Sequence, residues 1–189
     1  MITPRHSPEV ATYNNYLLAA GGVGDGGELT TVEVLDVRDG WQWLTVTQLP
    51  VPCKLKTSAI IQNNWYVITG KQVFSTYLPA LCQPVRNSAA TNTPAQWQRL
   101  ADTPLKDTTA IALSDSLLTV GGRHDNTAST AIHIYRPETN TWTKVGNLPT
   151  PRYYFSATVL ASPRELLVSG GEDQPWQPSD LVDIATILD

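Results

Sequence analysis

The sequence is poor in the residue types that mark several large fold and function classes. Asp, Glu, Lys and Arg together make up 16% of its 189 residues, below the roughly one quarter of an ordinary soluble domain. No stretch rich in Glu, Lys, Ala and Leu carries an apolar stripe of helical period, which argues against helical bundles and coiled coils. There is no run of Lys or Arg, and the formal net charge is −4. That removes the electrostatic footprint of a nucleic-acid binder and of a protein held to membranes by basic residues. The longest apolar run falls far short of the roughly 20 residues of a membrane span. The first residues, Met1-Ile2-Thr3-Pro4-Arg5-His6, lack the apolar core of a signal peptide. Two cysteines, Cys53 and Cys82, are too few for a disulfide framework and are not spaced as metal ligands. A soluble, cytoplasmic chain of about one domain is expected, with no metal and no cofactor.

Against these shortages stand 12 Gly, 14 Pro and 6 Trp, and they recur with a period. Four apolar segments end on glycine: Tyr16 to Gly21-Gly22, Trp65 to Gly70, Leu117 to Gly121-Gly122, and Leu166 to Gly170-Gly171. Their last glycines lie 48, 52 and 49 residues apart, a spacing that signals repeats. After the first three come a tryptophan and a proline turn: Trp43 with Leu49-Pro50, Trp97 with Thr103-Pro104, and Trp142 with Leu148-Pro149. The repeats fall at about residues 4–50, 51–104, 105–149 and 150–189.

Each repeat reads as short antiparallel strands. A first strand (Val10 to Tyr13, Ser58 to Ile61, Ala110 to Leu113, Ala157 to Leu160) turns at Asn14-Asn15, Asn63-Asn64, Ser114-Asp115 or Ser162-Pro163. The second strand ends on the glycines. A third follows (Val32 to Val37, Val73 to Leu78, Ala131 to Tyr135, Leu181 to Ala185), and a fourth carries the tryptophan.

In the third repeat Gly121-Gly122, Tyr135 and Trp142 fit a signature in which a glycine pair closes a strand, then a Tyr, then a Trp. These residues resemble the kelch repeat. The first repeat keeps Gly21-Gly22 but has Leu35 at the tyrosine place; the second has Gly70 with Tyr77 and a long insertion from Pro79 to Ala95. The fourth keeps Gly170-Gly171 and ends before any tryptophan of the fourth-strand kind. The resemblance implies an all-β, kelch-type β-propeller of about four blades, the fourth lacking its outermost strand. The glycines, Trp43, Trp97, Trp142, Tyr77 and Tyr135 are then structural, with the three tryptophans expected to be largely buried between blades. A piece of a longer propeller is expected. The alternative is a short chain that self-associates through its open blade edges or curls as an open arc.

In such a blade, the loop joining strands two and three emerges on the same side as the loop leading into the next blade. Loops on a rigid scaffold carry function, so the candidates are Arg5, His6, Lys54, Lys106, Arg152, Tyr153 and Tyr154 from the lead-in loops. Arg123, His124 and Trp176 come from the others. The resemblance implies that this face captures a segment of a partner protein, often through Arg and Ser. Arg with exposed aromatics is also the composition of an interface anchor. A non-catalytic protein-binding module follows, such as the substrate-recognition part of a ubiquitin-ligase adaptor.

The catalytic alternative is a sugar-handling or oxidase-type propeller. The three histidines have no metal-ligand spacing, and no Gly-x-Ser-x-Gly elbow or phosphate loop occurs. Copper-radical oxidases of this type need a Tyr cross-linked to a Cys, for which Tyr77 and Cys82 are the one nearby pair.

Overall fold

Turn chemistry sets the strand boundaries. The computed structural model describes residues 1–38, 42–52, 57–82, 96–160 and 165–186, and within them each repeat forms its own antiparallel sheet. Blade 1 contains β1 (Glu9–Tyr13), β2 (Tyr16–Ala20), β3 (Val23–Gly24), β4 (Gly27–Glu28), β5 (Thr31–Asp36) and β6 (Trp43–Gln48). Blade 2 contains β7 (Thr57–Ile61), β8 (Asn64–Thr69), β9 (Gln72–Tyr77), the one-turn helix α1 (Leu78–Cys82) and β10 (Gln98–Leu100). Blade 3 contains β11 (Thr109–Ala112), β12 (Leu117–Val120), β13 (Arg123–His124), β14 (Thr127–Ala128), β15 (Ala131–Arg136) and β16 (Thr141–Asn147). Blade 4 contains β17 (Ser156–Val159), β18 (Glu165–Ser169), β19 (Glu172–Gln174), β20 (Gln177–Pro178) and β21 (Val182–Thr186).

The sheet orders are β1-β2-β5-β6, β7-β8-β9-β10, β11-β12-β15-β16 and β17-β18-β21. These are the blades of a kelch-type propeller, the fourth with three strands among the described residues. Two compact units divide the chain. The first is Met1–Thr69 with Phe74–Leu100, and the second is Gly70–Val73 with Ala101–Asp189.

The hairpins follow from single residues that tolerate the left-handed region. Asn14 has φ 52° in the turn that pairs Tyr13 with Tyr16. In blade 2 the turn is Gln62-Asn63, one residue earlier than Asn63-Asn64, and Ile61 pairs with Asn64. That register sets the next residue, Trp65, wholly inside the core, and a slip by one would turn it to the other face. The Ser162-Pro163 turn, Cys53 and most of the insertion, from 83 to 95, lie outside the described residues.

Second and third strands read as continuous apolar runs because both of their faces are covered, as in β2 and β5, where nearly every residue is buried. Outer positions are more open: β1 and β16 mix half-buried with exposed residues, whereas β7 of blade 2 is covered along its length. In the first unit the core joins Leu18, Val32, Val34, Trp65 and Val67 with Leu78, Leu81 and Cys82 of α1. In the second it joins Leu118, Val120, Ile132, Phe155, Leu166 and Val168. Each fully buried Leu or Val contributes about 1.5 to 3 kcal/mol, so Leu118→Ala alone would cost about 2 to 5 kcal/mol.

The repeat tryptophans are less deeply set than expected. Trp43, Trp97 and Trp142 are half-buried, because each sits at an outer strand whose far face meets solvent. Trp142 lies on Tyr135 at 5.0 Å between ring centroids and donates its indole N–H to Ala101 O at 3.1 Å. The wholly buried indole is that of Trp65, with Trp97 at 6.0 Å. Tyr77 also departs from expectation and is 52% exposed. Leu35 pairs with Trp43 as Tyr135 pairs with Trp142. Leu78 N–H donates to Asn63 O just as Val37 N–H does to Asn15 O. By that register Thr76, buried to 3% exposure, takes the place of Leu35 and Tyr135, and Tyr77 falls one residue beyond, on the solvent side.

Candidate functional site

The lead-in segments and the loops between second and third strands do meet, and they do so through backbone. In blades 1, 3 and 4 that loop folds into a short two-stranded ribbon, β3-β4, β13-β14 or β19-β20. The lead-in segment bridges to its first strand: His6 to Val23, Lys106 to Arg123, Tyr153 to Glu172. Each bridge is a reciprocal pair of hydrogen bonds, with N···O distances from 2.8 to 3.1 Å. The second glycine of the pair makes the approach possible. A Cβ on Gly122 would lie 2.6 Å from Lys106 O, on Gly22 2.7 Å from His6 O, and on Gly171 2.7 Å from Tyr153 O. Blade 2 has the tight Gly70-Lys71 turn in place of a ribbon, and a Cβ on Gly70 would meet nothing within 4 Å.

Two of the expected contact residues are structural. The Arg5 side chain is fully enclosed; it donates to Gly21 O at 2.8 Å, Thr31 O at 2.9 Å and Glu33 Oε1 at 2.6 Å. Arg152 repeats the pattern, donating to Gly170 O at 2.9 Å, Leu181 O at 3.1 Å and Asp183 Oδ2 at 2.6 Å. Each arginine thus latches its lead-in segment to the carbonyls around the glycine turn. The reason is electrostatic. An acid in an otherwise apolar third strand requires a buried cation, and the two-pronged guanidinium supplies donors for the turn as well. Burial raises the Glu33 carboxyl, but hydrogen bonds from Thr3 and the Ile2 N–H, with the Arg5 charge, outweigh it and hold Glu33 below its ordinary range.

Sequence reasoning missed Glu33 and Asp183 as partners. The signal was present in Pro4-Arg5 and Pro151-Arg152, and in the lone acids of Val32-Glu33-Val34 and Val182-Asp183-Ile184.

The loops of blades 3 and 4 gather the remaining candidates into one cluster. The Arg123 Nε donates to Asp107 Oδ2 at 2.5 Å, and its terminal nitrogens donate to Asn126 Oδ1 at 3.4 Å and Tyr154 OH at 3.5 Å. Its guanidinium lies over the Tyr153 and Tyr154 rings, at 5.3 and 5.9 Å. The two rings meet edge to face at 4.8 Å. The Asp107 hydrogen bond holds the guanidinium above its ordinary pKa. Tyr153 is buried, against the expectation of a contact residue, because its hydroxyl donates to Glu172 Oε2 at 3.1 Å beneath Arg123. Burial first, and Glu172 second, push its phenol up, so it stays a donor. The other Glu172 contact runs from the Trp176 backbone N–H, at 3.0 Å.

What this arrangement leaves on the surface is aromatic. Trp176 is 91% exposed and Tyr154 46%. Both have left-handed backbones, with φ of 65° and 57°, a conformation in which bulky residues are outliers. Of the other candidates, His124 is exposed 3.3 Å from Asp125, His6 is exposed 3.2 Å from Ser7 Oγ, and Lys106 is half-buried. Lys54 lies outside the described residues.

Among the described residues no group of three His, Cys, Asp or Glu is placed to hold a metal, and no helix is long and apolar enough to cross a membrane. Tyr77 is on the surface, whereas Cys82 is a buried thiol of the α1 core cluster.

The kelch motif model matches residues 4–50 and 104–149. Among curated proteins the chain is 27% identical to human Kelch-like protein 33 over 135 residues, covering 69% of this chain and 24% of that protein. It is 26% identical to mouse Kelch-like protein 38 over 175 residues, covering 90% and 28%. It is also 26% identical to human Kelch repeat and BTB domain-containing protein 2 over 170 residues, covering 81% and 25%. The chain spans about a quarter of the length of these relatives.

Proposed function

Because the chain belongs to the kelch-repeat family, we propose that it is a non-catalytic protein-binding module whose contact surface is the loop cluster of blades 3 and 4. Trp176 and Tyr154 anchor the partner, and Arg123 with Asp107 holds the platform beneath them. The observation that carries this reading is Trp176, an indole 91% exposed on a left-handed ribbon tip. An exposed aromatic held in a disfavoured backbone conformation is the mark of a site kept for contact. In the whole protein the module would recognise the substrate of a ubiquitin-ligase adaptor; a relative whose name joins kelch repeats to a BTB domain supports that part.

A photo-crosslinking amino acid at exposed Gln177, beside the intact Trp176, compared with one at exposed Thr139, tests the proposal in the full-length protein. One identified partner should cross-link from 177 and not from 139, and the product should vanish with Tyr154→Gly. Equal cross-linking from both positions would overturn it.

Self-association is a second reading, favoured by β21, where Val182 and Ile184 are 60% and 57% exposed on an edge strand. Light scattering that gives a monomer at every concentration retires it.

A further inference from the structure

The charges of the same loops bear on what they hold. Arg152 is closed to an acidic ligand, and Arg123, 23% exposed, is already paired with Asp107. Arg152 is enclosed by Gly170 O, Leu181 O, Thr150 and Asp183. Arg123 faces inward on Asp107, Asn126 and Tyr154, with its flat face on Tyr153. An incoming carboxylate would have to break one of these pairs and leave an acid behind.

The outward charge has the opposite sign. Asp125, Asp173 and Asp180 are exposed on the ribbon and loop segments of blades 3 and 4. On the same ribbon as Asp173 is the open Trp176 indole, whose own backbone N–H is anchored on the Glu172 carboxylate. Of the aromatic side chains, an indole attracts a cation most strongly.

We infer that the segment bound at Trp176 is a basic peptide, presenting an Arg or Lys to the indole face with Asp173 and Glu172 alongside. This rests on the protein-binding reading above. The Arg or Lys stem packs on the ring while its charge meets the carboxylates, and association weakens as salt screens the exposed acids.

The test uses a phage-displayed random peptide library selected on the full chain and counter-selected on Trp176→Ala. The expected peptides are enriched in Arg or Lys. Replacing that residue by Glu should weaken binding about tenfold or more, and Asp173→Lys should weaken it several-fold. Affinity should also fall between about 0.1 and 0.5 M salt. Peptides dominated by Asp or Glu that lose affinity on Arg123→Ala overturn the inference and leave the protein-binding reading standing. So do peptides with no charge preference and no salt dependence. A library that yields nothing dependent on Trp176 sinks the reading itself.

Discussion

In blade 1 the residue after the bridged His6 is Ser7 and the ribbon tip is Asp25-Gly26; in blade 4 the same places hold Tyr154 and Pro175-Trp176. Beneath these loops the two blades are alike. Arg5 and Glu33 in one match Arg152 and Asp183 in the other, down to the pair of turn carbonyls each guanidinium holds. Ser7 and Tyr154 even share the left-handed backbone, at φ of 52° and 57°. Neither residue is glycine, so each carries the left-handed penalty, but only tyrosine, 46% exposed, sets a bulky aromatic on the surface there. The frame is therefore repeated and the surface it carries is not. Blade 3 has the same ribbon but holds Leu105 and His133 at the latch positions, so blades 1 and 4 are the matched pair, and function is sought where those two differ.

If the frame is shared, breaking it should hurt both blades equally, and this is the largest effect expected. Arg152→Met and Arg5→Met each leave a buried acid without its cation, at a cost of about 3 to 5 kcal/mol. Denaturant melts of the full chain check it. A loss in one blade only would show that the latches are not equivalent.

Next comes the glycine contrast. Gly70→Ala meets open space at φ 59° and carries only the left-handed penalty, about 1 to 2 kcal/mol. Gly122→Ala adds a clash with Lys106 O, for about 1 to 3 kcal/mol more. Equal melting temperatures for the two variants would mean that the lead-in segment moves away freely.

A smaller effect separates two glutamates of the first unit by pH. Glu33 is held below its ordinary pKa, so the stability it contributes is present above the ordinary value and is lost as pH falls from there through the lowered one. Glu9 is raised, chiefly by burial, against the hydrogen bond it accepts from Ser58 Oγ at 2.8 Å. Its folded form therefore favours the proton, and the stability it contributes is present at low pH and lost as pH rises through the raised value. Below the ordinary value of 4.5, Glu33→Gln should flatten the acid-side fall in melting temperature, and just above it Glu9→Gln should steepen the fall. Parallel shifts with unchanged slope would contradict both assignments.

The blades were legible from the sequence because their signals are local. Glycine-closed apolar runs, Asn turns and a spacing near 50 residues each act within one repeat. Tyr77 misled for a related reason. It is the tyrosine of the third strand, but in blade 2 a two-residue turn replaces the ribbon, and the register is set by Asn63 and Trp65 instead. The site was legible only in part. Trp176 and Tyr154 declared themselves as loop aromatics, whereas Arg5, Arg152 and Tyr153 looked the same in sequence and are buried. What separates them is the long-range partner, Glu33, Asp183 or Glu172, which lies about 20 to 30 residues away and is brought close only by the fold.

The smallest expected effect on stability falls on the residue that matters most for binding. Trp176→Gly removes an indole that is 91% exposed and places glycine at φ 65°. Little burial is lost, and the left-handed penalty, about 1 to 2 kcal/mol for an L-residue, is relieved. Against this, glycine brings extra freedom to the unfolded chain, about 0.5 to 1 kcal/mol. The melting temperature should therefore stay level or rise slightly, while peptide binding at the loop cluster disappears. The same substitution principle gives the control: Ser7→Gly in blade 1, at the counterpart of Tyr154, should likewise leave the melting temperature level or slightly raised but leave binding unchanged, since it too relieves a left-handed backbone and removes no anchor side chain. A marked drop in melting temperature for Trp176→Gly would assign the indole to the frame, and the distinction between blades 1 and 4 would then fail at its most exposed point.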